Sequence, residues 1–159
     1  MEVTDSGTIR AFDSGAHRDN SVGKGRCDLL PLLEASEFLE EDEVLAAISA
    51  YQETQDAKHI QEALAASLDT VPQFNNCKST LLLEASKQFE EGAEKYGENN
   101  WKLGIPVNVF LDSAIRHYLK TLRGDTDEPH WRAFAWNLLS ALWTVKQQMT
   151  NQRKQDTEI

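Results

Sequence analysis

The chain has 159 residues, 40% of them hydrophobic, and a formal net charge of −10, which is typical of one soluble domain. This acidity excludes the basic surface that duplex DNA or RNA requires, and no apolar run approaches the roughly 18 residues of a membrane span. The first residues lack the basic start and apolar stretch of a secretory signal. We therefore expect a single cytoplasmic domain over residues 1–159, with neither a nucleic-acid nor a membrane partner.

Residues 1–28 show neither a helical nor a strand period, and they are predicted to form an extended N-terminal arm. The pair Gly23-Lys24 within them suggests a phosphate-binding loop. That motif needs Gly where Arg18 stands and Ser or Thr where Gly25 stands, so the loop is excluded. The arm is either solvated or folded over a site to which it brings basic side chains.

Apolar residues recur at helical spacing after the arm, so the sequence predicts an all-α bundle of about four to six helices. The first stretch, residues 32–54, forms one helix or two short helices broken near Glu41-Asp42. The next helices are predicted over residues 56–68, 80–97, 107–124 and 127–149. A polar tail, residues 150–159, is expected to fray.

Helix ends are predicted from their signals. Ser79 or Thr80 is expected to cap the helix that follows, and Gly97 and Gly124 are expected to end theirs.

The link between the last two predicted helices is short, which requires these helices to pack antiparallel. Late residues of one helix, His117 and Lys120, then lie near Asp127, Glu128 and His130 at the start of the next. Carboxylates suit Mg²⁺ or Mn²⁺, and Arg or Lys suits phosphate oxygens. The sequence therefore predicts that acids, imidazoles and cations converge at one end of the bundle.

Two features near this end have alternative interpretations. Asp112 lies one helical turn before Arg116, as in a simple intrahelical ion pair or as in part of a site. A polar stripe on the last helix is either a solvated face or one side of a site; its members are His130, Ala133, Asn137, Ser140 and Thr144.

Four strings in order carry a resemblance to a known family: "FDSGAHRDNSVGKGRCDLLP", "FEEGAEKYGENNWKLGIP", "LDSAIRHYLKTLRGDTDEPH" and "AFAWNLLSALWT". From about Arg10 to about Val145 the chain resembles the phage and prophage dATP/dGTP diphosphohydrolase-like family. That family is related to the all-α, MazG-like nucleoside triphosphate pyrophosphohydrolases. Compared with relatives that pass directly from "DLLP" to the "GAxKYG" helix, residues 34–78 are an inserted helical segment.

The resemblance implies hydrolysis of a deoxypurine triphosphate to the monophosphate and pyrophosphate, with Mg²⁺ (or Mn²⁺) as the cofactor. It also implies a role in adjusting the nucleotide pool of a bacterial cell or phage-infected host, for phage DNA synthesis. A homo-oligomer, a dimer or larger, is expected on the same ground. Such hydrolysis needs an activated water and cations around the leaving group, and no covalent nucleophile.

The resemblance also implies the site residues. MazG-like enzymes use a Glu-x-x-Glu pair on one helix, which Glu91 and Glu94 match with Glu84 on the same face, and a Glu-x-x-Asp pair on the next. Here the last helix has His130 and Asn137 where those acids are expected. The expected metal ligands are Glu84, Glu91, Glu94, Asp112, Asp127 and Glu128, and the expected catalytic residues are Glu128, His117 and Asp127. The expected substrate-binding residues are Lys24, Arg26, Lys95, Tyr96, Asn100, Trp101, Arg116, His130 and Asn137.

Some of these assignments have alternatives. The stripe Glu84, Glu91 and Glu94 is either a metal cradle or a solvated face, and Trp101 either stacks on a base or packs in the core. The missing second acidic pair also favours a different class of protein, a non-catalytic nucleotide sensor or a helical interaction module.

Overall fold

The computed structural model describes residues 9–12 and 15–158. The predicted arm and tail therefore include positions outside the described residues, namely 1–8, 13, 14 and 159. Within the described part there are two strands, β1 Ile9–Ala11 and β2 His17–Asp19. The α-helices are α1 Leu32–Phe38, α2 Glu43–Thr54, α3 Lys58–Thr70, α4 Lys78–Tyr96, α5 Val107–Arg123 and α6 His130–Thr157. The predicted all-α bundle is confirmed.

The break predicted within residues 32–54 is present between α1 and α2. Glu40 and Glu41 adopt positive φ angles of 61° and 64°, which end α1 and turn the chain. Asp42 then caps α2, because its carboxylate accepts a hydrogen bond from the Leu45 N–H at 3.0 Å. The predicted stops are also confirmed: α4 ends before Gly97 and α5 before Gly124, where φ is 93° and 87°.

Two predicted helix ends are wrong. Helix α4 begins at Lys78 after Cys77, so Ser79 and Thr80 lie inside its first turn. The reason is that Asn75 and Asn76 both adopt left-handed backbone angles and complete the turn earlier. Helix α6 runs through the polar tail to Thr157 instead of fraying. Its tail side chains link successive turns, for instance Gln152 to Asp156 at 3.0 Å.

The bundle is centred on the antiparallel pair α5 and α6. Helix α4 packs against α6, α2 packs against α3, and the 3₁₀ turn Cys27–Leu29 lies against α5. The largest fully buried side chains come from most of these elements: Leu45, Ile48, Ile60, Phe74, Phe110, Ile115, Tyr118, Phe134 and Leu138. No α-helix in the described ranges is both long enough and apolar enough to cross a membrane.

A buried hydroxyl joins three parts of the bundle. The Tyr118 hydroxyl on α5 donates to the Asp42 carboxylate at 2.5 Å and lies 2.9 Å from the Thr70 hydroxyl. Burial, together with the hydrogen bond to Asp42, raises the pKa of Tyr118 far above its usual value. The hydroxyl therefore stays protonated, and it ties the start of α2 and the end of α3 to the core.

Removing this hydroxyl is expected to destabilise the protein. Tyr118→Phe leaves a buried carboxylate oxygen without its donor, which costs about 1–3 kcal/mol of unfolding free energy. Tyr51→Phe is the matched control, because Tyr51 is buried but its hydroxyl lies 3.4 Å from Gln55. Urea unfolding of both variants measures the difference, and equal losses would contradict a special role for the Tyr118 hydroxyl.

Candidate functional site

A cavity, called the main cavity below, opens between the arm, α4, α5 and the first turns of α6. Six cationic side chains line it among the described residues: Arg10, Arg18, Lys24, Lys95, Arg116 and Lys120. Four acidic side chains also line it: Glu91, Asp112, Asp127 and Glu128. In a chain of net charge −10, a cavity with more cationic than acidic side chains has the charge that an anionic ligand requires.

Asp112 and Arg116 fasten the arm to α5. The Arg116 guanidinium donates to the Asp112 carboxylate at 2.6 Å and to the Gly25 carbonyl oxygen at 2.7 Å. The other Asp112 oxygen accepts from the Cys27 N–H at 2.6 Å. The predicted intrahelical ion pair is therefore present, and both Asp112 oxygens are already engaged. This arrangement favours an anchoring role for the pair over the expected metal and phosphate contacts.

Asn100 holds the second strand of the arm. Its side-chain amide accepts from the His17 N–H at 2.9 Å and donates to the His17 carbonyl oxygen at 2.8 Å. Trp101 packs edge-on against Phe89 and Trp143, with ring centroids 5.3 and 5.1 Å away. Neither Asn100 nor Trp101 lines the main cavity. Trp101 therefore packs against the core, and together with Asn100 it also lines a second cavity beside the main one.

Asn137 places Arg18 in the cavity. The Asn137 amide donates to the Ala133 carbonyl oxygen at 2.8 Å, and its own oxygen accepts from the Arg18 guanidinium at 3.0 Å. That guanidinium also lies over the rings of Trp136 and Phe110. Asn137 is thus a positioning residue, and Arg18 is one of the cations that face the cavity.

The polar stripe on α6 is buried, so its interpretation as a solvated face is wrong. Its members His130, Ala133, Asn137, Ser140 and Thr144 are each less than a tenth exposed. The stripe faces α5 because the two helices pack along their length. Within the stripe, His130 and Asn137 make side-chain contacts outside α6. Thr144 donates to the Ser140 carbonyl oxygen of its own helix, and the Ser140 hydroxyl has no hydrogen-bond partner in the ranges that the structure describes.

The predicted convergence at the α5–α6 turn is present. The Nδ1 atoms of His117 and His130 lie 2.8 Å apart, and Glu128 Oε1 lies 3.5 Å from each of them. His130 Nε2 lies 2.7 Å from Asp127 Oδ1. The hydrogen bond from His130 lowers the pKa of Asp127. Burial, aided by the charges of His130 and Lys120, lowers the pKa of His117 well below its usual value, so this imidazole is neutral near pH 7.

The predicted acidic stripe on α4 is divided by its surroundings. Glu84 pairs with Arg132 at 2.5 Å, and Glu94 is exposed and lies outside the cavity lining. Glu91 lines the cavity, where burial and the charges of Glu128 and Glu94 raise its pKa. The three acids therefore do not share one cradle.

Of the remaining predicted binding residues, some line the main cavity and others do not. Lys24, Lys95 and Tyr96 line the main cavity. Arg26 is exposed, pairs with Asp28 at 2.8 Å and lies outside that cavity. His130 lies behind the cavity wall and touches it through His117.

The sequence predicted no role for Arg10, and Arg18 was not among the expected substrate-binding residues. Strand register brings them together, because Arg10 pairs directly with Arg18 across β1 and β2. Each strand has only three residues, which is too short for a period to be recognised.

The donor set around the cavity fits a divalent cation. Glu91, Asp127 and Glu128 line the cavity with carboxylate oxygens, which are the ligands that Mg²⁺ and Mn²⁺ prefer. Of the other three ligands expected from the sequence, Glu84 and Asp112 are paired with arginines and Glu94 lies outside the cavity lining. Among the described residues, the ligand atoms close enough to share an ion belong to two groups, His117–Glu128–His130 and Asp125–Asp127–His130.

Comparison with known proteins identifies the family of this chain. Comparison with curated proteins and with solved structures gave no significant match. The family described as "dATP/dGTP diphosphohydrolase, N-terminal" matches residues 52–154. This range contains α4, α5 and nearly all of α6, the helices that line the cavity, whereas the arm precedes it. Because the match covers more than half of the sequence, the chain belongs to the dATP/dGTP diphosphohydrolase N-terminal family.

Proposed function

We propose that this protein hydrolyses the deoxypurine triphosphates dATP and dGTP to the monophosphate and pyrophosphate, with Mg²⁺ or Mn²⁺. The observation that best supports this proposal concerns Arg10 and Arg18, which lie opposite each other on β1 and β2 and both line the cavity. The Asn137 amide and the Trp136 ring hold the Arg18 guanidinium in place. Two guanidiniums on paired strands suit a polyphosphate, to whose oxygens they would donate charge-assisted hydrogen bonds.

The other cations complete a polyphosphate site. Lys24 approaches from the arm, Lys95 from α4 and Lys120 from α5, and all three line the cavity with the arginine pair. A triphosphate carries about four negative charges, and charge-assisted hydrogen bonds from Arg and Lys are the strong ones. The phosphates are therefore proposed to lie between the arm and the start of α6.

The base is proposed to lie against the aromatic side of the cavity. Tyr96 and Trp136 line both the main cavity and a second cavity beside it, which also includes Asn99 and Trp101. An aromatic face stacks on a nucleobase with a gain of about 1–3 kcal/mol. The cationic and aromatic sides of the site thus match the two ends of a nucleotide.

The reaction needs a water molecule and an acceptor for its proton. Glu128, His117 and Asp127 lie together at the cavity wall, and we propose that they position this water and take up its proton. A divalent cation bound by the carboxylates would neutralise charge on the phosphate oxygens. Adjustment of the nucleotide pool for phage DNA synthesis is the proposed cellular role.

The activity is tested by incubating the protein with each of the four dNTPs and measuring pyrophosphate and monophosphate, with Mg²⁺ or Mn²⁺ supplied. We expect turnover of dATP and dGTP, with pyrophosphate released intact. Folded protein that turns over no dNTP or NTP with either metal would contradict the proposal. Calorimetry then separates a silent nucleotide sensor, which binds without hydrolysis, from an interaction module, which does not bind nucleotide.

Arg18 and Arg26 offer a matched test of the phosphate site, because both lie on the arm and only Arg18 lines the main cavity. Arg18→Gln is expected to raise the Michaelis constant for the triphosphate at least about tenfold, since it removes a charge-assisted contact. Arg26→Gln is expected to change it less than about twofold. Steady-state kinetics measures both, and equal effects would place the phosphates elsewhere.

A further inference from the structure

We infer that His117, His130 and Glu128 form a binding site for a divalent transition-metal ion, of the class of Mn²⁺, Co²⁺ or Zn²⁺. This metal site would belong to the proposed active site. The inference rests on the proposed function only in taking a nucleotide as the substrate that the bound ion contacts. It replaces an all-carboxylate site by one with two imidazole ligands.

Three ligand atoms converge on one point. The Nδ1 atoms of His117 and His130 are 2.8 Å apart, and Glu128 Oε1 is 3.5 Å from each. Ligand atoms arranged tetrahedrally about 2.1 Å from an ion are about 3.4 Å apart. Two of the three separations already match. An ion bound by both Nδ1 atoms would widen the third separation by about half an ångström.

The outer contact of His130 is the one that metal-binding histidines make. Its Nε2 lies 2.7 Å from Asp127 Oδ1, so the ring is held with Nδ1 towards His117 and Glu128. A ligating histidine almost always gives its other N–H to a carboxylate or carbonyl, which fixes the ring and raises its basicity. His130 is 1% exposed, so this N–H needs a partner in any case, and Asp127 is the kind of partner that a ligating histidine also has.

The position of the cluster suits catalysis more than a structural role. His117 and Glu128 both line the cavity that holds Lys120 and the arm cations. Catalytic zinc-type sites use three protein ligands and leave a position for water or substrate. In this arrangement His117 would act on the reaction through the ion and not by accepting a proton.

A second group of possible ligands lies on the other side of His130, namely Asp125 and Asp127 with His130 Nε2. The structure favours the inner site, because Asp125 is already paired with Arg123 and Asp127 is more than half exposed. Asp127 is therefore assigned to orient His130 and not to bind the ion itself.

Cobalt titration of the chelator-treated protein without nucleotide tests the inference. We expect one Co²⁺ per chain, visible absorption bands of low-symmetry coordination, and no displacement by excess Mg²⁺, since imidazole favours transition ions over Mg²⁺. His117→Gln is expected to weaken binding at least about tenfold, and Asp127→Asn by about tenfold to a hundredfold. X-ray absorption of the unmutated protein is expected to show scattering from two imidazoles.

The controls address other histidines, acids and thiols. His59→Gln should leave binding unchanged, because His59 contacts Glu62 on α3, away from the cavity. Asp125→Asn and a Cys27→Ser/Cys77→Ser variant should also leave it unchanged. Loss of binding on Asp125→Asn, a thiolate absorption band, or full binding by folded His117→Gln would each overturn the inference. If Co²⁺ binds as expected but no dNTP is hydrolysed, the metal site is supported and the proposed function is contradicted. If dNTPs are hydrolysed with Mg²⁺ but Co²⁺ does not bind, the proposed function is supported and the metal site is contradicted.

Discussion

Glu128→Gln is expected to lower kcat for dATP and dGTP at least about a hundredfold while the protein stays folded. Glutamine has the same shape but lacks the charge, so it can neither accept a proton nor hold a cation as carboxylate does. Glu128 lines the cavity and lies 3.5 Å from both imidazoles, which places its charge at the proposed reaction centre. The Michaelis constant is expected to change much less, since the proposed contacts to the phosphates come mainly from the arm cations.

The matched control is Glu94→Gln on α4, which removes the same charge from an exposed position outside the cavity lining. Its kcat is expected to remain within about twofold of the unmutated value. His117→Ala provides a second loss-of-function variant at the same wall of the cavity. Thermal unfolding of each variant separates lost chemistry from lost fold. Full activity in both Glu128→Gln and His117→Ala would show that the reaction takes place elsewhere.

The parts of the fold that were predicted correctly depend on local signals. Gly97 and Gly124 end their helices because the left-handed backbone there suits glycine. The short link after α5 requires an antiparallel pair, and that alone brings His117 to His130 and Glu128. A convergence of acids, imidazoles and cations could thus be predicted from chain geometry without knowledge of side-chain rotamers.

The parts that were missed depend on contacts between distant positions. The Asn100 amide binds the backbone of His17, and Arg116 binds the carbonyl of Gly25, and neither contact leaves a periodic mark in the sequence. Arg26 was expected at the phosphates because it is basic and near Lys24, yet the neighbouring Asp28 pairs with it. Charge composition along a segment does not show which cation faces inward, since local pairing decides it.

The cavity residues come from two parts of the chain, one inside the family match and one before it. The matched residues 52–154 supply the acids, the imidazoles and Lys120. The arm, which lies before that range, supplies Arg10, Arg18 and Lys24. Under the proposed function, the chemistry would therefore be carried by helices within the family match, and the arm, which Asp112, Arg116 and Asn100 hold in place, would provide much of the phosphate binding.

Deletion of residues 1–26 is the direct test of that division, and we expect it to lower kcat/KM for dATP and dGTP at least about a hundredfold. The deletion removes three cavity cations at once, and each charge-assisted hydrogen bond contributes about 1.5–3 kcal/mol. The loss should appear mainly as a raised Michaelis constant, because His117 and Glu128 remain in place on α5 and before α6.

The same deletion should leave metal binding by the helices within about threefold of the full chain, since none of its three inferred ligands lies in the arm. The helical bundle is expected to persist by circular dichroism, because Ala16 is the one buried apolar core residue of the described part that lies before Leu32. The milder variant Asn100→Ala, which releases β2 without removing any charge, should raise the Michaelis constant by a smaller factor. An unchanged Michaelis constant in the deleted protein would mean that the arm lies over the cavity without binding the phosphates.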